Sequence, residues 1–123
     1  MKIIHGEIFT KDEGDKSFGP VNISISLSAA ELEQLLNKTE DTLLIKIIGK
    51  DLFILDNKKN LLFKTGGDLP GNEKLFVYSV SVIKTLIEKG RDEKIFFEQR
   101  KDVLSVSNGN FIMERGSSCP PFC

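Results

Sequence analysis

The sequence contains no tryptophan, one tyrosine, one histidine and two cysteines among its 123 residues. Its nine phenylalanines supply most of the aromatic surface, which favours an apolar core over a face for stacking bases or sugars. No partner for a general base or a metal ligand is recognisable near His5. We therefore expect His5 at the surface or at a strand edge, and a protein that is not an enzyme and has no cofactor or metal.

Long apolar runs are also missing. No stretch approaches the roughly 18 apolar residues of a membrane-spanning helix, so we expect no membrane partner. Glu7 interrupts the N-terminus before the apolar segment of a signal peptide could form. These absences predict a cytoplasmic protein, in which the two cysteines are reduced thiols.

Neither sign of charge is in excess. Seventeen basic and eighteen acidic residues give a formal net charge of −1 and a pI of about 5.9. A protein that binds mainly by neutralising phosphates would carry a basic excess, and a mimic of nucleic acid would carry a large acidic one. The balance disfavours both classes, and the chain length is typical of a single domain.

The first half of the chain has the pattern of a strand, a helix and further strands. Residues 21–27 alternate apolar and polar side chains, which predicts a half-buried strand. Ser28 and Glu31 have the spacing of a capping box, and the stripe of leucines that follows predicts a helix ending near Lys38. Strands are predicted over 42–48, 52–55 and 61–63, and a charged turn is predicted over 11–16.

The second half returns to the same pattern after a glycine-rich loop at 66–73. A strand is predicted over 75–79, a helix over 80–89, and strands over 94–98, 103–107 and 111–113. The loop lacks the Lys-Ser/Thr ending of a phosphate-binding loop, so we interpret it as a connection between the halves.

A shift of 51 residues superimposes the two halves. It places the apolar stripe of the first helix on that of the second, and seven positions between 28 and 57 are then identical. The identical pairs are Ser28 and Ser79, Leu35 and Leu86, Lys38 and Lys89, Asp41 and Asp92, Lys50 and Lys101, Asp51 and Asp102, and Asn57 and Asn108.

Each unit alone would leave one helix face and one sheet face bare, so the two units must pack together. We therefore predict one α+β domain over 1–116, with repeat units of about 21–64 and 75–114. The units form antiparallel sheet, with two helices packed on one face. The sheet edges that remain are sites where another chain can pair.

The segments 75–87, 92–98, 102–107 and 109–114 resemble the strand, helix and three strands of a bacterial DNA sliding clamp domain, and the resemblance extends over about 21–116. Clamps are rings of such domains whose helices line a basic channel around duplex DNA. The resemblance implies a homo-oligomer, with Lys84, Lys89 and Arg91 facing DNA. The first helix and its end carry Glu31, Glu33, Glu40 and Asp41 against Lys38, which favours a clamp-like fold without clamp function.

The last seven residues, 117–123, have an unusual composition. They are predicted to be a flexible tail, and a segment that docks a partner is the alternative. A small disulfide, a pair of metal thiolates and reactive thiols also remain open, although a zinc site would need two further ligands. The residues concerned are Cys119, Pro120, Pro121, Phe122 and Cys123.

Three functions are compatible with these patterns. The first is a non-enzymatic protein-interaction or assembly module of clamp-like fold that self-associates or docks a protein partner. The second is a DNA-associated accessory resembling a sliding clamp, which leaves nucleic acid open as a partner. The third is a small inhibitor or immunity protein of mobile-element origin.

Overall fold

The computed structural model describes residues 4–69, 74–101, 103–114 and 116–119. These residues form ten strands and three helices, which confirms the prediction of an α+β fold. The elements are β1 (Glu7–Thr10), α1 (Lys11–Phe18), β2 (Ile23–Ser28), α2 (Ala29–Leu36), β3 (Thr42–Ile48), β4 (Asp51–Leu55), β5 (Leu61–Lys64), β6 (Leu75–Ser79), α3 (Val80–Gly90), β7 (Lys94–Gln99), β8 (Leu104–Asn108), β9 (Phe111–Glu114) and β10 (Ser117–Cys119).

The strands form two five-stranded antiparallel sheets. Sheet A has the order β1-β9-β8-β7-β2, and sheet B has the order β10-β6-β3-β4-β5. The strands before α2 and α3 each join the strands of the other half, because β2 pairs with β7 and β6 pairs with β3. The two halves of the chain are therefore interlocked through their first strands.

One apolar core lies between the facing sides of the two sheets and beneath α2 and α3. Leu32, Leu35 and Leu36 of α2 are buried in it together with Ile83 and Leu86 of α3. The apolar stripes read from the sequence are thus the buried faces of these helices. The two helices also contact each other.

Tyr78 of β6 joins the two sheets at one end of this core. Its side chain is fully buried, and its hydroxyl donates a hydrogen bond to the carbonyl of Leu104 at the start of β8. A Cβ atom on Gly116 would lie 2.7 Å from Cζ of the tyrosine ring, so the ring requires glycine at that position. Burial, reinforced by the negative charge of Glu114, raises the pKa of Tyr78.

The charged segment after β1 is a helix, so the predicted turn over 11–16 is wrong. Thr10 caps α1 by accepting the Glu13 N–H at 3.4 Å, and the Glu13 carboxylate accepts the Thr10 N–H at 3.3 Å. This capping box starts a helix that has no apolar stripe to reveal it. The helix packs on sheet A with Gly14 against Ile112, where a Cβ atom would approach Cγ2 of Ile112 to 2.6 Å.

The predicted flexible tail begins inside the fold. Ser117–Cys119 form β10, which pairs with β6 so that Ser117 lies opposite Val77. The prediction of flexibility is therefore wrong for 117–119, because the edge of β6 offers main-chain groups that this segment pairs with. The remaining tail residues, Pro120, Pro121, Phe122 and Cys123, lie outside the described residues.

Candidate functional site

The cations predicted to face DNA lie along α3 and at its end. Lys84, Lys89 and Arg91 are all exposed. Lys84 lines a depression between α2 and α3 together with the carboxylates of Glu33 and Glu88. Lys89 lies five positions after Lys84 in the helix, which turns the two side chains roughly 140° apart. The three cations therefore do not share one basic face.

Lys89 has a partner of its own on sheet A. Its Nζ lies 5.5 Å from the centroid of the Phe111 ring, a cation–π geometry. Arg91 adopts the left-handed conformation, with φ of 56°, that ends α3. Both residues thus have a local structural role at the C-terminal end of the helix.

His5 is buried, so its predicted surface or edge position is wrong; only 6% of the residue is exposed. The main-chain N–H of His5 donates to Oγ of Ser79 at 2.7 Å, and the main-chain carbonyl of His5 accepts the Ser79 N–H at 2.9 Å. Its Nδ1 lies 2.6 Å from Oγ of Ser117. His5 therefore ties the N-terminal segment to the end of β6 and to β10.

A serine hydroxyl beside an imidazole is also the geometry of an activated nucleophile. Three surface depressions are formed by described residues, and neither His5 nor Ser117 lines any of the three. The pair lies instead where three chain segments meet. A structural role as a joint accounts for these contacts.

A buried ionic cluster lies on the face of sheet A that α1 covers. Arg100 and Glu114 are 1% and 0% exposed. The Arg100 Nε lies 2.9 Å from Ser105 Oγ and 3.6 Å from Glu114 Oε1. The Ser105 hydroxyl donates to Glu114, and the Arg100 guanidinium donates to the carbonyl of Gly19.

This cluster fastens the segment after α1 to the sheet, and no sequence motif predicted it. Among the residues in the described ranges, no group of three histidine, cysteine or acidic side chains is arranged to hold a metal ion. Polar residues at alternate positions of a strand normally indicate a face in water. The polar residues of this cluster are instead buried beneath α1, and only the structure shows that this helix covers them.

The sheets leave four strand edges that no described strand pairs with: β1 and β2 in sheet A, and β5 and β10 in sheet B. Natural edge strands are usually protected by short length, charge or proline. The β1 and β5 edges have four residues each and carry Glu7 and Lys64, whereas β10 has three residues and precedes Pro120 in the sequence.

The β2 edge, defined as the outer side of Ile23–Ser28, has none of these protections. It is six residues long and contains neither charge nor proline. Ser24 and Ser26 are exposed, while Ile23 and Ile25 are half-buried against the core. The alternation of residues 21–27 predicted this strand, but only the strand order of sheet A shows that it lies at an edge.

No described helix is both long enough and apolar enough to cross a bilayer. Comparison with models of known protein families, with curated proteins and with solved structures finds no match. The geometry of the chain is therefore the basis for its functional assignment.

Proposed function

We propose that this chain is a non-enzymatic, cytoplasmic assembly module with a clamp-like fold, which self-associates or docks a protein partner through a sheet edge. The observation that carries the proposal is the β2 edge, which is six residues long and uncharged. A strand of this kind adds another chain to its sheet through main-chain hydrogen bonds. Those bonds require no catalytic group.

The strand pairing supports the clamp-like part of the proposal. Each half runs strand, helix and three strands, and the first strand of each half pairs with the second strand of the other. A shift of 51 residues carries Leu27 onto Tyr78, and a shift of 52 carries Leu43 onto Ile95. Leu27 lies opposite Ile95, and Tyr78 lies opposite Leu43, so the two pairs correspond.

Two identical asparagines provide a second, independent support for the repeat. Asn57 lies two residues after the end of β4, and Asn108 is the last residue of the corresponding strand β8. Oδ1 of Asn57 accepts the N–H of Glu40 at 3.4 Å, and Oδ1 of Asn108 accepts the N–H of Asp92 at 2.8 Å. Asn57 thus holds the loop that follows α2, and Asn108 holds the loop that follows α3.

DNA binding is the second candidate, favoured by the exposure of Lys84, Lys89 and Arg91. Glu33 and Glu88 beside Lys84 reduce the positive potential that phosphates would meet. We expect no duplex DNA binding at about 0.15 M salt, the physiological ionic strength. Salt-dependent binding that is lost on Lys84→Glu would favour the DNA function instead.

Size-exclusion chromatography with light scattering over a wide range of protein concentration tests the assembly function. The expected result is a mass that rises with concentration from 13.8 kDa toward a multiple of it. A constant monomer mass up to about 1 mM, the weak end of ordinary protein affinities, would exclude self-association. Docking of a different protein would then be the remaining form of the proposal.

A further inference from the structure

We propose that the partner of the β2 edge is the β2 edge of a second copy of this chain, arranged antiparallel about a two-fold axis. Two copies of sheet A then form one continuous sheet, with five strands from each copy. This inference rests on the proposed assembly function. It specifies the strand that pairs, the partner strand and the register of the pairing.

Main-chain hydrogen bonds determine which groups of β2 point outward. The Ala29 N–H donates to the Glu93 carbonyl at 2.7 Å, and on the other side of β7 the Arg100 N–H donates to the Val103 carbonyl at 2.9 Å. Because donors alternate in an antiparallel ladder, both bonds assign the odd-numbered residues of β2 to pairing with β7. The N–H and C=O groups of Ser24 and Ser26 therefore point toward the open side.

In the paired strands, residues whose main-chain groups point outward must lie opposite one another. Because these are alternate residues, the two-fold axis lies at the level of one residue of β2 and not midway between two consecutive residues. An axis at Ile25 places Ser24 opposite Ser26 of the second copy and Ile23 opposite its Leu27. Ser28 then remains free of the interface, and its hydroxyl caps α2 by accepting the Glu31 N–H at 3.1 Å. The register thus uses the two exposed serines and leaves the helix cap intact.

The chemistry of the β2 edge favours pairing with the β2 edge of a second copy over pairing with another edge strand. On the outer face, serine lies opposite serine, and no charge is desolvated. On the inner face, the half-buried Ile23 and Ile25 gain further burial against Leu27 and Ile25 of the second copy. Pairing with β5 would instead bring in Lys64, which already bonds the Gly67 carbonyl at 3.1 Å and lies 3.7 Å from Asp68.

Paired charge substitutions at the two exposed serines test both the edge and the register. The double variant Ser24→Lys/Ser26→Lys places like charges opposite each other twice and should weaken the dimer about tenfold. The double variant Ser24→Glu/Ser26→Lys places opposite charges together and should strengthen it by several-fold at low salt. The measurement is the dimer dissociation constant from concentration-dependent light scattering, with circular dichroism to check folding.

The matched control is Leu61→Lys on the β5 edge, where the side chain is 47% exposed. It should leave the dissociation constant unchanged. If the control disrupts the dimer and the serine variants do not, the β2 assignment is overturned while the assembly function stands. If the unmodified chain is a monomer at every concentration, self-association fails and the β2 pairing fails with it. Equal weakening by both serine variants would overturn the Ile25 register alone.

Discussion

Four strands of each sheet, β9-β8-β7-β2 in sheet A and β5-β4-β3-β6 in sheet B, follow corresponding orders, but the two sheets present opposite chemistry on their outer faces. Sheet A carries serines and an ionic pair beneath α1, whereas sheet B carries a second apolar cluster. With the shift of 52 residues that aligns the strands after α2 and α3, Ser105 corresponds to Phe53 and Ser107 to Leu55. With the shift of 51 residues that aligns the strands before these helices, Ser26 corresponds to Val77. The inner faces of both sheets remain apolar and share one core. Strand order therefore depends on the inner faces and leaves the outer faces free to diverge.

The divergence implies two different ways of stabilising an outer face. Sheet B gains free energy in proportion to the apolar area that it removes from water. Sheet A buries charges, which lowers stability unless each charge keeps its partner. Removing one group from each face should therefore have effects of different origin.

The largest effect is expected from the ionic pair of sheet A. Arg100→Met removes the guanidinium 3.6 Å from the buried Glu114 carboxylate and should lower the free energy of unfolding by about 4 kcal/mol. Adding Glu114→Leu removes the buried charge and should restore much of that loss. Urea unfolding of the single and double variants measures both effects. A double variant less stable than the single one would show that the charge is not the cause.

A smaller effect is expected from the apolar face of sheet B. Leu55→Ala should lower the free energy of unfolding by about 3 kcal/mol, because the side chain is 4% exposed and its removal leaves a cavity. Leu61→Ala is the matched control, since Leu61 lies opposite Leu55 but is 47% exposed. Its loss should stay below about 1 kcal/mol. Equal losses in urea unfolding would contradict the burial of this face.

The predictable parts of this fold are those that depend on local periodicity. The apolar stripes of α2 and α3 and the alternation of residues 21–27 indicate their elements directly, because each repeats with the period of its structure. The predicted N-cap at Ser28 is confirmed, because its hydroxyl accepts the Glu31 N–H at 3.1 Å. The Glu31 carboxylate accepts from that hydroxyl at 3.0 Å, which is not the bond to the Ser28 N–H of a full capping box. The α+β class follows from these elements.

The parts that sequence patterns missed depend on contacts between distant residues. His5 bonds a residue 74 positions away, so its burial has no local signature. The pattern for α1 shows no apolar stripe, and Gly14, a residue without a side chain, lies against Ile112 of the sheet. The residues of β2 were predicted as a strand, but only the strand order shows that no described strand pairs with its outer side.

Tyr78, which joins the two sheets, provides the smallest expected effect at neutral pH and a separate effect in alkali. Tyr78→Phe removes the hydroxyl that donates to the Leu104 carbonyl and should lower the free energy of unfolding by about 1 kcal/mol at neutral pH. Burial raises the pKa of Tyr78, with Glu114 adding to the shift. The stabilisation linked to this shift is complete below the unfolded pKa of about 10 and is lost as pH rises from there toward the folded pKa.

The unmodified chain should therefore lose stability above about pH 10, with a contribution from Tyr78 that the Tyr78→Phe variant lacks. Because the chain has one tyrosine, the ultraviolet absorbance of phenolate reports Tyr78 alone. In an alkaline titration, that absorbance should appear together with the loss of circular dichroism, since the phenol must leave the core to ionise. Phenolate formation near pH 10 in a chain that is still folded would show that Tyr78 is accessible to water and would contradict its burial between the two sheets.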